Sequence, residues 1–217
     1  MSLLEADSIN LSFENRPILS NVYLSCSTGD IVGVIGRNGS GKSSLMKIIF
    51  GTLIGENQSI RVDKSYVAHL YKRINAITYL PQEGLLMNYL TITQLSRIFN
   101  TPELLEVENF KNYQNDRLGE LSGGLKKLVE ILTLLYTDSM FTILDEPFSF
   151  LSPILVEEVI QHIQQQRSKK GIILTDHQYQ AAWSVTTKRY VLVDGVIKEI
   201  SDLKELELYG YLLSSKN

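Results

Sequence analysis

Alternation of apolar and polar residues is the first pattern along the chain, and it predicts strands with one buried face. Residues 5–13 and 18–26 follow it and are predicted as two strands joined by a turn at 14–17. Pro17 supports the turn, because proline presets the backbone there and can begin a strand. Residues 30–35 are instead nearly all apolar, which indicates a strand that is buried on both faces.

Apolar residues then recur at helical spacing over 42–50, and Gly51 is suited to end that helix. Strands and helices alternate further on, which is the order that builds a parallel sheet covered by helices. The predicted strands are 58–63, 75–80, 140–144 and 172–175, and the predicted helices are 122–136 and 153–167. Asp194-Gly195 separates the apolar runs 190–193 and 196–200 and predicts a hairpin.

Residues 83–121 interrupt this order. They are richer in Leu, Asn and Glu, and short helical patterns lie near 93–99 and 102–107. We predict a small helical lobe inserted into a single domain of residues 1–217, whose core comprises 1–82 and 122–217. The fold class is therefore α/β, with a mostly parallel sheet, an N-terminal antiparallel β layer and the inserted lobe.

The composition is that of a soluble globular protein. The 217 residues suffice for one sizeable core, and 44% of them are hydrophobic and 21% charged. A formal net charge of -3 argues against a broad nucleic-acid surface, so we expect no nucleic-acid partner. We find no apolar run long enough to cross a membrane and no secretory signal. The single cysteine, Cys26, lies in an alternating strand pattern and is expected to be a core residue.

The segment from Gly36 to Ser43 fits the pattern G-x-x-x-x-G-K-S, and it lies between a predicted strand and a predicted helix. Glycines allow the backbone to approach phosphates closely, and the loop amides and the helix N-terminus attract anions. Lys42 can reach the β- and γ-phosphates, and the Ser43 hydroxyl can bind Mg²⁺. The predicted nucleotide-binding residues here are Gly36, Arg37, Asn38, Gly39, Ser40, Gly41, Lys42, Ser43 and Ser44.

Two adjacent acids, Asp145 and Glu146, follow the apolar run that ends at Leu144. A carboxylate at the end of a buried strand is costly unless it meets a cation, directly or through water. Holding Mg²⁺ is therefore the natural role of Asp145. His177 likewise follows an apolar strand, whereas His69 and His162 match no motif and are expected to be surface or packing residues.

The segment Leu121-Ser122-Gly123-Gly124 opens a helix and precedes the Asp145-Glu146 pair. Together with the phosphate loop, and in this order, these segments resemble the ATP-binding cassette (ABC) ATPase family over essentially the whole chain. The resemblance implies a P-loop NTPase core that binds ATP and Mg²⁺.

The resemblance also implies a role for individual residues. Phe13 would stack on adenine, and Ser122, Gly123 and Gly124 would contact the ATP held by an opposite subunit. Mg²⁺ would be held by Ser43, Gln82 and Asp145. The catalytic residues would be Lys42, Gln82, Glu146, which polarises the attacking water, and His177, which contacts the γ-phosphate.

The family resemblance implies an ATP-hydrolysing transporter subunit that works with separate membrane subunits. Such a subunit is cytoplasmic and peripheral on the inner face of the cell membrane, and ATP joins it to a second ABC ATPase. Import or export, the cargo, and a homodimer or a heterodimer all stay open. A soluble ABC ATPase outside transport is the alternative, although the chain has neither long heptads nor a second phosphate loop. A degenerate nucleotide binder is disfavoured by Lys42, Asp145, Glu146 and His177.

Three features depart from the family pattern. Ser152 stands where the family usually has Asp, so we expect hydrolysis to persist with altered coupling between sites. Leu125 replaces the usual Gln, with little expected effect. The interval between Gln82 and Ser122 is short for the family, which indicates a small lobe and a small docking surface on the membrane partner.

Overall fold

A computed structural model describes residues 1–209. The first sheet is formed by β1 (Leu3–Phe13), β2 (Arg16–Ser27), β4 (Asn57–Val62) and β5 (Ser65–Tyr66). Its strand order is β2-β1-β4-β5, and every neighbouring pair is antiparallel. This confirms the predicted N-terminal antiparallel layer.

The turn between β1 and β2 is shorter than the predicted 14–17. Phe13 pairs with Arg16, so the turn consists of Glu14 and Asn15 alone, with φ of 49° and 64°. Left-handed conformation at both central residues is what a two-residue hairpin with a type I′ turn requires. Pro17 lies inside β2, which tolerates proline because it is an edge strand of the sheet.

The second sheet has six strands in the order β10-β9-β3-β8-β7-β6. They are β3 (Ile31–Ile35), β6 (Ile77–Leu80), β7 (Phe141–Asp145), β8 (Gly171–Asp176), β9 (Lys188–Val193) and β10 (Val196–Glu199). All neighbours are parallel except the β9–β10 hairpin at Asp194-Gly195. The mostly parallel sheet and its hairpin are thus confirmed.

The helices are α1 (Lys42–Phe50), α2 (Ile92–Phe99), α3 (Gly123–Tyr136), α4 (Pro153–Gln166), α5 (Tyr179–Val185) and α6 (Leu203–Leu208). Gly51 ends α1 in the left-handed conformation, as predicted. Thr91 caps α2 reciprocally with Gln94, and the stretch predicted at 102–107 is a 3₁₀ turn, Pro102–Glu106. None of the helices within residues 1–209 is long and apolar enough to span a lipid bilayer.

The parallel sheet separates two apolar clusters, because successive side chains of a strand point to opposite faces. Ile143 and Ile173 pack toward α1 and the antiparallel sheet. Leu144 and Leu174 pack toward α2, α3, α4 and α5. The carboxyl ends of β3, β7 and β8 therefore open at one edge between these layers, where parallel α/β proteins bind ligands.

Candidate active site

The loop between β3 and α1 requires glycine for its path. Gly41 caps α1 at φ of 103°, and a Cβ there would lie 3.0 Å from Ile18 Cγ2. A Cβ on Gly36 would lie 2.6 Å from Ser40 Oγ and 2.9 Å from the Leu192 carbonyl oxygen. The loop therefore has no room for a side chain at Gly36 or Gly41, and it leads into the N-terminus of a nine-residue helix, where free backbone amides attract an anion.

Lys42 is buried at the base of this loop. Its Nζ donates to the Gly36 carbonyl at 2.8 Å and to the Arg37 carbonyl at 3.2 Å. Burial lowers the pKa of Lys42, while the negative charge of Glu146 opposes that shift. The ammonium thus lies against the loop carbonyls and lines the cleft beside them, where phosphate oxygens can become its further partners.

Asp145 ends β7 and is almost fully buried. It accepts hydrogen bonds from the Thr175 hydroxyl on one oxygen and from the Tyr79 hydroxyl, at 3.1 Å, on the other. Burial, reinforced by the charge of Asp145, raises the pKa of Tyr79, so this hydroxyl stays a donor. Sequence reasoning missed both partners, because their approach depends on the register of β6 and β8 against β7.

Glu146 contacts two other residues predicted for the site, Gln82 and His177. Its Oε2 accepts from Gln82 Nε2 at 3.0 Å and lies 3.4 Å from His177 Nδ1. The same oxygen accepts from the Ser149 hydroxyl at 3.2 Å. Glu146 adopts φ of 52°, a conformation that costs about 1–2 kcal/mol in a non-glycine residue and is often found at functional sites.

Asp176 is a functional-site residue that the sequence did not reveal. It is fully buried, and its two oxygens accept from the backbone amides of Gln178 at 2.7 Å and Phe148 at 3.0 Å. Burial raises the pKa of Asp176, and these two hydrogen bonds oppose the shift. The carboxyl group thereby ties the loop that carries His177 to the loop that follows Glu146.

A cleft of about 420 Å³ is lined by residues of the phosphate loop together with Gln82 and Glu146. His177 does not line it but shares a neighbouring cleft with Gln82 and Glu146. Phe13, half exposed at the end of β1, also lines this cleft. Ser122, Gly123 and Gly124 do not line this cleft. Ser122 instead caps α3 by accepting from the Leu125 amide at 3.3 Å.

The groups predicted to hold Mg²⁺ are Ser43, Gln82 and Asp145, of which the first two line the cleft. Among residues 1–209 no three His, Cys, Asp or Glu side chains are grouped to hold a metal ion. These few protein groups fit Mg²⁺ if phosphate and water supply most of its ligands. Mg²⁺ usually binds in this way in nucleotide sites.

Comparison with known proteins places the chain among relatives of one kind. The profile of the family described as "ABC transporter" matches residues 19–149. The lipopolysaccharide export system ATP-binding protein LptB of Haemophilus influenzae is 31% identical over 216 residues, covering 91% of this chain and 89% of the relative. LptB of Escherichia coli K12 is 27% identical over 215 residues, with 90% and 88% covered.

Solved structures agree in fold. The ATP-binding subunit of an ABC transporter superposes with a TM-score of 0.83 at 23% identity, covering 98% of this chain and 95% of that one. A nucleotide-free ATP-binding cassette superposes with a TM-score of 0.76, also at 23% identity, with 98% and 96% covered.

Proposed function

The chain belongs to the ABC transporter family of ATP-binding proteins, and from that premise we propose how its residues bind and hydrolyse MgATP. It is the ATP-binding and ATP-hydrolysing subunit of such a transporter. The observation that carries the proposed mechanism is the meeting of Gln82, Ser149 and His177 on one oxygen of Glu146, beside a glycine cradle. A soluble ABC ATPase outside transport is the weaker alternative, because the curated relatives are transporter proteins.

ATP would bind with its phosphates in the loop formed by residues 36–44 and its adenine against Phe13. The cleft supports this placement, because Phe13 and the loop are two of its walls. Lys42 would then exchange carbonyl partners for β- and γ-phosphate oxygens, a change that favours its charged form. When bound, Mg²⁺ would neutralise charge on the β- and γ-phosphates, held by Ser43 directly and by Gln82 and Asp145 directly or through water.

Hydrolysis depends on positioning and charge neutralisation rather than covalent participation by the protein. Glu146 would accept a hydrogen bond from the attacking water, because its carboxylate lies at the cleft and is held by Gln82 and Ser149. His177 would donate to the γ-phosphate from its place 3.4 Å from Glu146. Asp145, occupied by two hydroxyl donors, would act on Mg²⁺ chiefly through bound water.

A complete site would need a second ABC ATPase subunit. Ser122, Gly123 and Gly124 lie outside the cleft of their own chain, which supports their acting on the ATP of an opposite subunit. The N-terminus of α3 would then face a phosphate, as helix N-termini commonly do. ATP would therefore bind two subunits head to tail around a twofold axis.

The membrane subunits would dock on residues 83–121, which we propose to be a helical subdomain between the two parts of the core. Leu85, Met87 and Tyr89 are 53%, 57% and 63% exposed there. Clustered exposed apolar residues are typical of interaction sites. The subunit would thus be a cytoplasmic protein that is peripheral on the inner face of the membrane through its partner.

The first experiment compares the wild type with Glu146→Gln, with phosphate release and apparent mass measured in MgATP. We expect the wild type to hydrolyse ATP and the variant to lose hydrolysis and shift to dimer mass, because it binds ATP without activating water. Glu157→Gln, an exposed change on α4, is the matched control. A Glu146→Gln variant as active as the wild type would overturn the assignment. If neither the wild type nor Glu146→Gln formed a dimer, the partner would be a different ABC ATPase subunit.

A further inference from the structure

Glu130 is a buried carboxylate outside the cleft, with 4% of its surface exposed on α3. Its Oε1 accepts from the backbone amides of Leu85 at 3.3 Å and Leu86 at 3.2 Å. A buried carboxylate is costly even when it is hydrogen-bonded, and an apolar side chain could fill the same helical position. The positive charge of Lys127, also buried on α3, attracts Glu130 and offsets part of this cost, so the two amide contacts give the carboxylate a role beside stability.

The segment that faces Glu130 is shaped to receive this carboxylate. Gly84 has φ of 84°, and a Cβ there would lie 2.8 Å from Glu130 Oε1 and 2.9 Å from Oε2. The Gly84 amide also donates to the Pro81 carbonyl at 3.1 Å, which closes a turn around Gln82. Glu130 thus holds the backbone immediately after the turn that carries Gln82.

Other contacts attach the same segment to α3 and to the residues that precede this helix. Lys126 Nζ donates to Asn88 Oδ1 at 2.7 Å, and the Gly119 amide donates to the Asn88 carbonyl at 2.9 Å. Toward the core, the Gln82 amide group donates to Glu146. The segment 84–88 therefore links a side chain in the cleft to the helix that begins beside Ser122.

We propose that Glu130 is a positioning residue that couples Gln82 to Ser122 by fixing residues 84–86 to α3. The inference rests on the role proposed above for Gln82. Glu130 lies about two helical turns from the start of α3, and a continuous helix moves as a rigid element over that distance. A displacement of Gln82 on nucleotide binding is then transmitted through Glu130 to the segment that contacts the opposite ATP.

The test is amide hydrogen exchange on the full chain with and without Mg²⁺ and the non-hydrolysable analogue AMP-PNP. The protein is kept at a concentration where size-exclusion chromatography shows a monomer. In the wild type we expect the ligand to change exchange in the phosphate loop, in residues 83–90 and at 122–128. In Glu130→Ala the phosphate-loop change persists, the change at 122–128 is lost, and the Leu85 and Leu86 amides exchange about fivefold faster or more.

Glu130→Gln keeps an acceptor oxygen and should restore the wild-type pattern, which a variant that merely unfolds the lobe would not do. Glu157→Ala is the matched control and should leave every segment unchanged. A second measurement is the double-mutant cycle of kcat for Gln82→Ala and Glu130→Ala. If Glu130 acts through Gln82, its removal adds little to the loss already caused by Gln82→Ala.

The outcomes separate this inference from the proposed function. An unchanged exchange response at 122–128 in Glu130→Ala, or additive losses in the cycle, would overturn the role of Glu130 alone. A Gln82→Ala variant with wild-type hydrolysis would overturn the role of Gln82. A wild type without a ligand response in the phosphate loop would overturn the nucleotide site itself.

Discussion

Ser152 caps the first turn of α4, with its hydroxyl accepting from the Leu155 amide at 3.5 Å and Pro153 at the first helical position. Aspartate is an equally good N-cap, so Ser152→Asp should preserve the helix and add a charge next to the proposed subunit interface. We expect measurably faster ATP hydrolysis in Ser152→Asp at unchanged thermal stability, because the charge would restore the family's contact across the proposed dimer. An unchanged rate in a phosphate-release assay would contradict this expectation.

Ser152→Ala is the matched control for the cap. It removes the acceptor without adding charge and should lower the free energy of unfolding by about 1 kcal/mol. A rate change in Ser152→Asp that Ser152→Ala reproduces would therefore come from the helix terminus and not from the dimer contact.

At the scale of single residues, sequence motifs predicted the groups that meet at the cleft but not the groups that hold them. Gln82, Glu146 and His177 belong to spaced motifs, and they are brought together as expected. Thr175 contacts Asp145 because it pairs with it in the register of β8 and β7, and register cannot be read from either strand alone. Asp176 was missed because its partner Phe148 lies on a different loop, and no pattern within one segment joins the two.

Among the elements, the C-terminal end of α3 contacts a buried lysine, Lys170, which makes the stability of the protein depend on pH. Lys170 is 2% exposed, and its Nζ donates to the Thr137 carbonyl at 2.6 Å and to Ser139 Oγ at 3.1 Å. Positive charge at a helix C-terminus is favourable, yet burial lowers the pKa of Lys170 to about 8. The unfolded chain keeps the ordinary lysine pKa of about 10.4.

This lowered pKa gives the sign of a stability change. Between pH 8 and about 10.4 the unfolded chain binds more protons at Lys170 than the folded chain, so this group's contribution to the free energy of unfolding rises with pH. Urea titrations at pH 7.5 and 9.5 measure how the free energy of unfolding changes as the pH rises. This free energy should increase more, or decrease less, in the wild type than in Lys170→Met. The exposed Lys198→Met serves as control and should keep the wild-type difference, whereas equal differences in all three proteins would contradict the assignment.

Elements with strong periodicity were predicted within a few residues, whereas the two-residue strand β5 and the short helix α5 were not. The helix predicted at 153–167 is observed at Pro153–Gln166. α5, with only seven residues, was missed, since a helix this short depends on tertiary contacts rather than on propensity. It is stabilised by burial of Ala182 and Val185 and by the Arg189 guanidinium, which lies 4.3 Å from the Trp183 ring centroid.

For the molecule as a whole, the order of strands and helices predicted a parallel sheet covered on both faces. It did not predict that the antiparallel sheet shares a face with α1, because that packing depends on which side chains of β1 and β2 point inward. The division into a core and an inserted subdomain stays a prediction, and so does the docking surface for the membrane subunits.

The proposed docking surface lies close to the nucleotide cleft along the chain. Leu85, Met87 and Tyr89 follow the turn that carries Gln82, so a partner bound there would sense the nucleotide through the segment that Glu130 holds. We expect Met87→Ser to lower the fraction of the subunit that sediments with membranes from cells, because it removes apolar contact area. Hydrolysis by the purified chain and its thermal stability should stay near wild type, since exposed substitutions usually change stability by less than about 0.5 kcal/mol. Ile54→Ser, on the exposed loop after α1, is the matched control and should sediment as the wild type does. Equal loss in both variants would indicate nonspecific adhesion of apolar side chains to lipid, and no loss in Met87→Ser would place the membrane partner on another surface.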